Sequence, residues 1–266
     1  MVTFTEMVSF MEKEMNSPRE DLIIGRNAVS EAIRSGRAID TLLVSRGERN
    51  GSIGRIIADC RDKGVVIKEV DRKKLDLMCG GAVHQGVAAY AASHEYSSVE
   101  DIFALAQERG EKPFIIICDE LEDPHNLGAV LRTAEATGAH GVIIPKRRNA
   151  SLSYVVGKAS AGAVEYVPVA RVANIAQTID ELKERGVWFY AADMDGENWC
   201  SVDYDGAVGL VIGSEGRGVS RLVREKCDFI VSMPMKGRIN SLNASVAAGI
   251  LMYEVARQRA GIKAKG

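Results

Sequence analysis

Short apolar runs alternate with segments of helical period along most of the chain. Residues 22–24 are apolar, 26–34 read as a helix stopped by Ser35-Gly36, and 39–44 as a strand. A second helix over 53–63 ends at Gly64, followed by a strand over 65–70, a helix over 71–78 and a strand over 86–92. Strand and helix alternation of this kind predicts a small α/β domain. Residues 97–100, SSVE, form a capping-box pattern opening a helix to about 109, which 110–113, GEKP, closes.

The pattern resumes with a strand over 114–118 and a helix over 127–137, stopped by Gly138, with Asn126 where an N-cap belongs. A strand over 141–144, a helix over 174–185, a strand over 187–192 and an acidic turn over 193–198 follow. The runs 209–213 and 228–233 are short and apolar, as in strands buried on both faces. The last helix spans 244–259, with Ser241 or Asn243 capping its start and Arg257 and Arg259 in its last turn. Residues 1–20 fit a short amphipathic helix or a frayed extension. The predicted organisation is an extension over 1–20, an α/β domain over 21–95, a linker with a short helix over 96–112 and a second domain over 113–266.

Composition changes the picture only by exclusion. A chain of 266 residues with 46% apolar composition can bury a full core in one large or two modest domains. Its net charge of −2 creates no global basic field, so any nucleic-acid contact must come from local patches. Five scattered cysteines without a C-x-x-C pair argue against a disulfide framework and a zinc site, and for a reducing compartment. No apolar run reaches membrane-spanning length and residues 1–20 carry acids, so a soluble cytoplasmic protein without metal is expected.

Candidate chemistry centres on Gly213–Gly218, GSEGRG, where three glycines surround one carboxylate and let backbone amides approach a ligand. Its G-x-x-G-x-G spacing matches neither a dinucleotide fingerprint nor a P-loop. Taken singly, Glu215 is a solvated acid, Asn126 and Asn243 are caps, and Arg132 is the partner of Glu135 three residues on. Arginines recur beside glycines in the loops 35–37 and 45–54, and residues 145–149, PKRRN, form a basic cluster after a strand. Guanidinium groups suit phosphate.

Three motifs in order, N-x-G-A-x-x-R at Asn126–Arg132, GSEGRG at Gly213–Gly218 and SLNxSVA at Ser241–Ala247, resemble the TrmH-type branch of the SPOUT RNA methyltransferases. Ile24–Val29 and His84–Val87 resemble landmarks of the ribosomal-protein-like RNA-binding domain in members that modify 23S ribosomal RNA. The resemblance implies an α/β fold: a trefoil-knotted, mostly parallel sheet with helices on both faces, preceded by the small RNA-binding domain. It implies S-adenosylmethionine as cofactor, a ribose 2′-hydroxyl as acceptor, a guanosine of 23S ribosomal RNA as the favoured target, and a homodimer.

By the same resemblance Arg132, Asn126, Glu215, Ser241 and Asn243 serve catalysis, Glu215 orienting Arg132 or the ribose. Ala191, Gly213, Gly216, Met233 and Leu242 hold the cofactor, while Arg26, Arg37, His84, Gln85, Lys146 and Arg147 contact RNA. The alternatives are a transfer-RNA 2′-O-methyltransferase of the same family, a non-catalytic RNA-binding or ribosome-assembly protein, and a nucleotide-dependent enzyme, which the missing lysine disfavours.

Overall fold

The computed structural model describes residues 21–48, 51–238 and 241–263; the helix expected in residues 1–20 lies outside them. The chain divides into two compact units, 1–95 and 96–266.

The first unit follows the alternating pattern: β1 (Leu22–Ile24), α1 (Arg26–Arg34), β2 (Ile39–Ser45), α2 (Ser52–Asp62), β3 (Val66–Val70), α3 (Arg72–Met78) and β4 (Val87–Ala91). Its four-stranded sheet has the order β1-β4-β2-β3. β2 pairs parallel with β3 and antiparallel with β4. Val29 and Ile33 of α1 and Ile53 and Ile56 of α2 pack with Leu42 and Val44 of β2. Leu75 of α3 packs with Leu43 and Ala88 in a second cluster.

The second unit opens with α4 (Val99–Arg109), whose N-cap is Ser98, one residue later than the sequence pattern indicates. Asp101, not Glu100, completes the capping box: its backbone N–H donates to Ser98 Oγ, and its carboxylate accepts from the Ser98 N–H at 2.7 Å. The difference is one of register, since both acids stand in the first turn. Then come β5 (Phe114–Asp119), α5 (Pro124–Ala136), β6 (Gly141–Pro145), α6 (Tyr154–Ala159), a 3-10 turn (Ala163–Glu165), β7 (Val169–Val172) and α7 (Ile175–Glu184). β8 (Val187–Asn198), β9 (Ala207–Gly213), α8 (Arg221–Lys226), β10 (Phe229–Ser232) and α9 (Ala244–Arg259) complete it.

Six strands lie in the order β10-β8-β9-β5-β6-β7, and every neighbouring pair is parallel. Both faces are covered, which is why β5, FIIICD, is buried along its whole length. Phe114, Ile116 and Cys118 pack with α5, α6 and α9; Ile115 and Ile117 pack with α4, α7 and α8. Burying one such isoleucine stabilises by about 1.5–3 kcal/mol.

The acidic turn expected over 193–198 is instead the end of β8. Ile230 pairs with Ala191 but Val231 with Glu197, so five residues of β8 bulge opposite a single step of β10. At Gly196 a Cβ would lie 2.5 Å from the carbonyl oxygen of Ile230. The acids 193 and 195 and this glycine read as turn punctuation, yet the glycine serves a close strand approach.

Candidate active site

β5 and β9 are neighbours that lead outward to opposite halves of the sheet, so the crevice at their carboxyl ends is where a parallel α/β sheet binds ligands. Asp119 and Gly213, their last residues, are paired. The loops that follow therefore leave the sheet side by side, one toward Asn126 and the other carrying Glu215.

The second loop is tightly closed. Ser214 and Gly218 exchange both backbone hydrogen bonds, at 3.1 and 2.9 Å. A Cβ on Gly213 would lie 1.9 Å from the Gly218 carbonyl carbon, so only glycine permits this closure. The loop's exit is pinned by Asp119, only 4% exposed, whose carboxylate accepts the Ser220 N–H at 2.7 Å.

Asn126 is not an N-cap. Asp123 caps α5 by accepting the His125 N–H, and Pro124 takes the first helical position, where its missing N–H costs nothing. Asn126 falls in the first turn, 5% exposed, with its side-chain amide available. Its Nδ2 donates to Glu215 Oε1 at 2.5 Å. Asn243 Nδ2 donates to the same oxygen at 2.8 Å and to Asn126 Oδ1 at 3.0 Å. Asn243 also caps α9, its Oδ1 accepting the N–H groups of Ser245 and Val246. One amide thus performs two tasks: its oxygen starts a helix and its nitrogen joins three distant segments.

Arg132 stands apart from this cluster. Six residues beyond Asn126, it is roughly 9 Å further along α5 and turned by about 240°. It is exposed, and among the described residues its guanidinium has no hydrogen-bond or ion-pair partner, Glu135 included. The expected intrahelical pair is not formed. Nor does Glu215 orient Arg132 within one chain, because its engaged oxygen faces the two asparagines. Ser241 is exposed two residues ahead of the α9 cap.

Of the five residues expected at a cofactor, one lies within β8, one ends β9, and three stand in the loops after β9 and β10. Ala191 is fully buried between Val211 and Ile230; Gly213 ends β9; Met233 follows β10; Leu242 precedes the cap of α9. Gly216 has φ +86° and open space where a Cβ would stand. Val211 and Ile212, which lead into Gly213, are buried.

Residues 113–253 match the SpoU rRNA Methylase family, and residues 22–97 match the RNA 2′-O ribose methyltransferase substrate-binding family. The chain belongs to the SpoU methylase family. It is an S-adenosylmethionine-dependent RNA methyltransferase of the TrmH/SpoU type. YacO of Bacillus subtilis (strain 168), named for the TrmH family of tRNA/rRNA methyltransferases, is 50% identical over 244 residues, 91% of this chain and 98% of that protein. A Staphylococcus aureus (strain MSSA476) relative named for the same family is 46% identical over 241 residues, 90% of this chain and 97% of that protein. Among solved structures, the SpoU methyltransferase AviRb from Streptomyces viridochromogenes in complex with AdoMet superposes with a TM-score of 0.57 at 25% identity, covering 90% of each chain. The TrmH/SpoU tRNA modifying enzyme of A. aeolicus gives 0.53 at 32% identity, over 57% of this chain and 77% of that one.

In the substrate-binding unit the structure revises one expected RNA contact and qualifies another. His84 is buried; its Nδ1 accepts the Gly86 N–H at 2.9 Å and its Nε2 lies 2.8 Å from Asp76. It shapes the turn and presents no face to RNA. Arg26 is partly spent on the same turn, donating to the Gln85 carbonyl at 2.9 Å and pairing with Glu48 at 3.3 Å. Gln85 is exposed at φ +53°, a conformation that costs a non-glycine residue about 1–3 kcal/mol. Arg37, and in the methylase unit Lys146 and Arg147, are exposed.

Asp119 and Glu120 carry no role in the sequence pattern, and Arg148 and Arg217 appear there only as members of PKRRN and GSEGRG. Glu120 and Arg148 are both non-glycine residues at positive φ, +62° and +55°, and they pair with each other at 3.0 Å. No local pattern signals them, since Glu and Arg are ordinary surface residues.

Proposed function

We propose that the protein methylates a ribose 2′-hydroxyl of RNA, most favourably a guanosine of 23S ribosomal RNA, as a homodimer whose carboxyl-terminal domain is trefoil-knotted. The observation that carries the reading is the hydrogen-bonded cluster Asn126–Glu215–Asn243, which draws one polar residue from each of three motifs to the ligand crevice of the sheet. Residues 21–95 serve as the substrate-binding domain, 96–112 as the connection and 113–266 as the methyltransferase domain, acting in the cytoplasm.

S-adenosylmethionine supplies an electrophilic methyl group on a sulfonium. Ala191, Gly213, Gly216, Met233 and Leu242 are the residues that would hold it. Asn126, Ser241 and Asn243 position the acceptor ribose, with Glu215 fixing the two amides so that they need not reorganise during reaction. Arg132, whose guanidinium stays protonated, binds the target phosphate and stabilises negative charge developing on the 2′-oxygen, and the phosphate helps take the proton.

Arg132 faces away from the cluster of its own chain, and this supports a site completed by a second copy. An outward stripe on α9, Val246 and Tyr253 at 50% and 58% exposure with half-buried Ile250 between, offers that copy an apolar surface. α9 packs on α5 beside this stripe, Gly249 lying against Thr133, the neighbour of Arg132.

A transfer-RNA target is the second reading, favoured by the name of the A. aeolicus relative, while that of the Bacillus subtilis relative admits either RNA. Radiolabelled S-adenosylmethionine with protein-free 23S ribosomal RNA and, separately, transfer RNA from cells lacking the gene decides between them. Label on a ribose of 23S RNA is expected. Label on transfer RNA alone replaces the substrate; no label with no cofactor binding by calorimetry leaves a non-catalytic RNA-binding protein.

A further inference from the structure

Next to the crevice holding Asn126 and Glu215, a cavity of 320 Å³, lies a second cavity of 590 Å³ that the reaction above does not use. It falls within the span of about 300–1,000 Å³ typical of ligand pockets. Glu120, Ser214 and Arg217 border both cavities. The larger one is further walled by Arg147 and Arg148 after β6, by Asp119, and by Asn174, Ile175 and Ala176 at the start of α7.

Charge in this cavity is partly cancelled. Glu120 is paired with Arg148, and the neighbouring loops are locked together by the Leu121 N–H on Asn149 Oδ1 and the Ala150 N–H on the Leu121 carbonyl, both 2.8 Å. Asp119 accepts the Ser220 N–H. Among the described residues, Arg147 and Arg217 remain on the wall without an ion-pair or hydrogen-bond partner. Ile175 and Ala176 stand in the first turn of a ten-residue helix, where backbone N–H groups have no intrahelical acceptor. Two free guanidinium side chains and the N–H groups of one helix N-terminus border one hollow, which is the chemistry of an anion site.

We propose that this cavity binds a phosphodiester of the RNA backbone next to the reacting ribose, with Arg147 and Arg217 as its cationic contacts. Arg217 links the two cavities, so it fixes which nucleotide of a bound strand reaches Asn126 and Glu215. The paired, left-handed Glu120 and Arg148 tie the two loops together and are positioning residues. The assignment rests on the reading of this protein as an RNA 2′-O-methyltransferase.

The test compares wild type with the R147A/R217A and R147K/R217K variants. Affinity for a fluorescein-labelled single-stranded RNA 20-mer is measured across a salt series, together with S-adenosylmethionine affinity by calorimetry and steady-state methyl transfer. The alanine variant is expected to lower the slope of log affinity against log salt by about 0.7 for each phosphate that is no longer neutralised. Its KM for RNA should rise at least about tenfold while kcat falls much less, the split expected when binding common to ground and transition states is removed. The lysine variant should keep the slope, because charge is retained. An unchanged slope in the alanine variant, equal loss in both variants, or a parallel loss of cofactor affinity would overturn the proposal. A wild type that transfers no methyl to ribose would instead defeat the functional reading, while the salt slope still reports on the cavity.

Discussion

Asn126 and Arg132 occupy the same helix, six residues apart, and meet opposite circumstances. Asn126 is buried, and both ends of its side-chain amide are engaged, by Glu215 and by Asn243. Arg132 is exposed, and among the described residues it engages nothing. A buried amide must be satisfied where it stands, because an unpaired polar group in the interior costs about 1–3 kcal/mol. The chain therefore fixes Asn126 by its own folding. An exposed guanidinium is satisfied by water and can wait for a phosphate or a second copy, so folding alone leaves its partner undecided.

The sharpest way to break the comparison is Arg132→Ala. If Arg132 acts only once RNA is bound, turnover should fall by about 10²–10³-fold or more, the scale of losing one electrostatic stabiliser. Cofactor affinity and thermal stability should stay near wild type. Turnover within threefold of wild type, measured by methyl transfer to RNA, would remove Arg132 from the reaction.

Glu215→Gln tests the other side with a smaller expected effect. The replacement keeps shape but gives Asn126 and Asn243 an uncharged acceptor, weakening two charge-assisted bonds worth about 1 kcal/mol each at an exposed carboxylate. Turnover should drop by about 10–100-fold. Because Asn243 also caps α9, Asn243→Ala should lose stability as well, by about 1 kcal/mol in urea unfolding, where Glu215→Gln loses little. Equal stability loss in the two would show that the cluster is chiefly structural.

The contrast also accounts for what could be read from the sequence. Strand and helix order was legible apart from α6, β7 and α8, because the parallel sheet makes strands such as FIIICD continuously apolar. Asn243 was legible as a cap because capping is local. Asn126 was placed at the wrong helical position, since Asp123-Pro124 three residues earlier form a stronger start. That Asn126, Glu215 and Asn243 meet was not legible from spacing; positions 89 and 117 residues apart are joined only by the sheet order, and the motif resemblance alone brought them together. The RNA contact expected of His84 came from the motif resemblance, whereas its burial depends on Asp76 and the Gly86 turn folding around it. The Glu120–Arg148 pair and an individual role for Arg217 escaped, although PKRRN and GSEGRG were noted, because charged surface residues carry no periodic signal.

His140 supplies the control for satisfied polar groups that have no place in the reaction. It is fully buried; its Nδ1 accepts the Phe114 N–H at 2.9 Å and its Nε2 lies 3.0 Å from Glu111. Burial holds its pKa below the ordinary 6.5, outweighing the opposite pull of Glu111. The unfolded chain then takes up the proton more readily, so this stabilisation is full above about pH 6.5 and is lost as pH falls below it, by at most about 1.4 kcal/mol per pH unit. In His140→Asn the side-chain oxygen can still accept the Phe114 N–H, but nothing titrates there. Urea unfolding between pH 7 and pH 5 should lose stability less steeply in that variant, while methyl transfer at pH 7.5 stays within about twofold of wild type. An unchanged slope would mean that His140 takes up its proton equally in the folded and unfolded chains, and a steeper loss in the variant that Glu111 keeps it protonated; a large loss of turnover would mean that satisfaction within the chain does not separate structural groups from reacting ones.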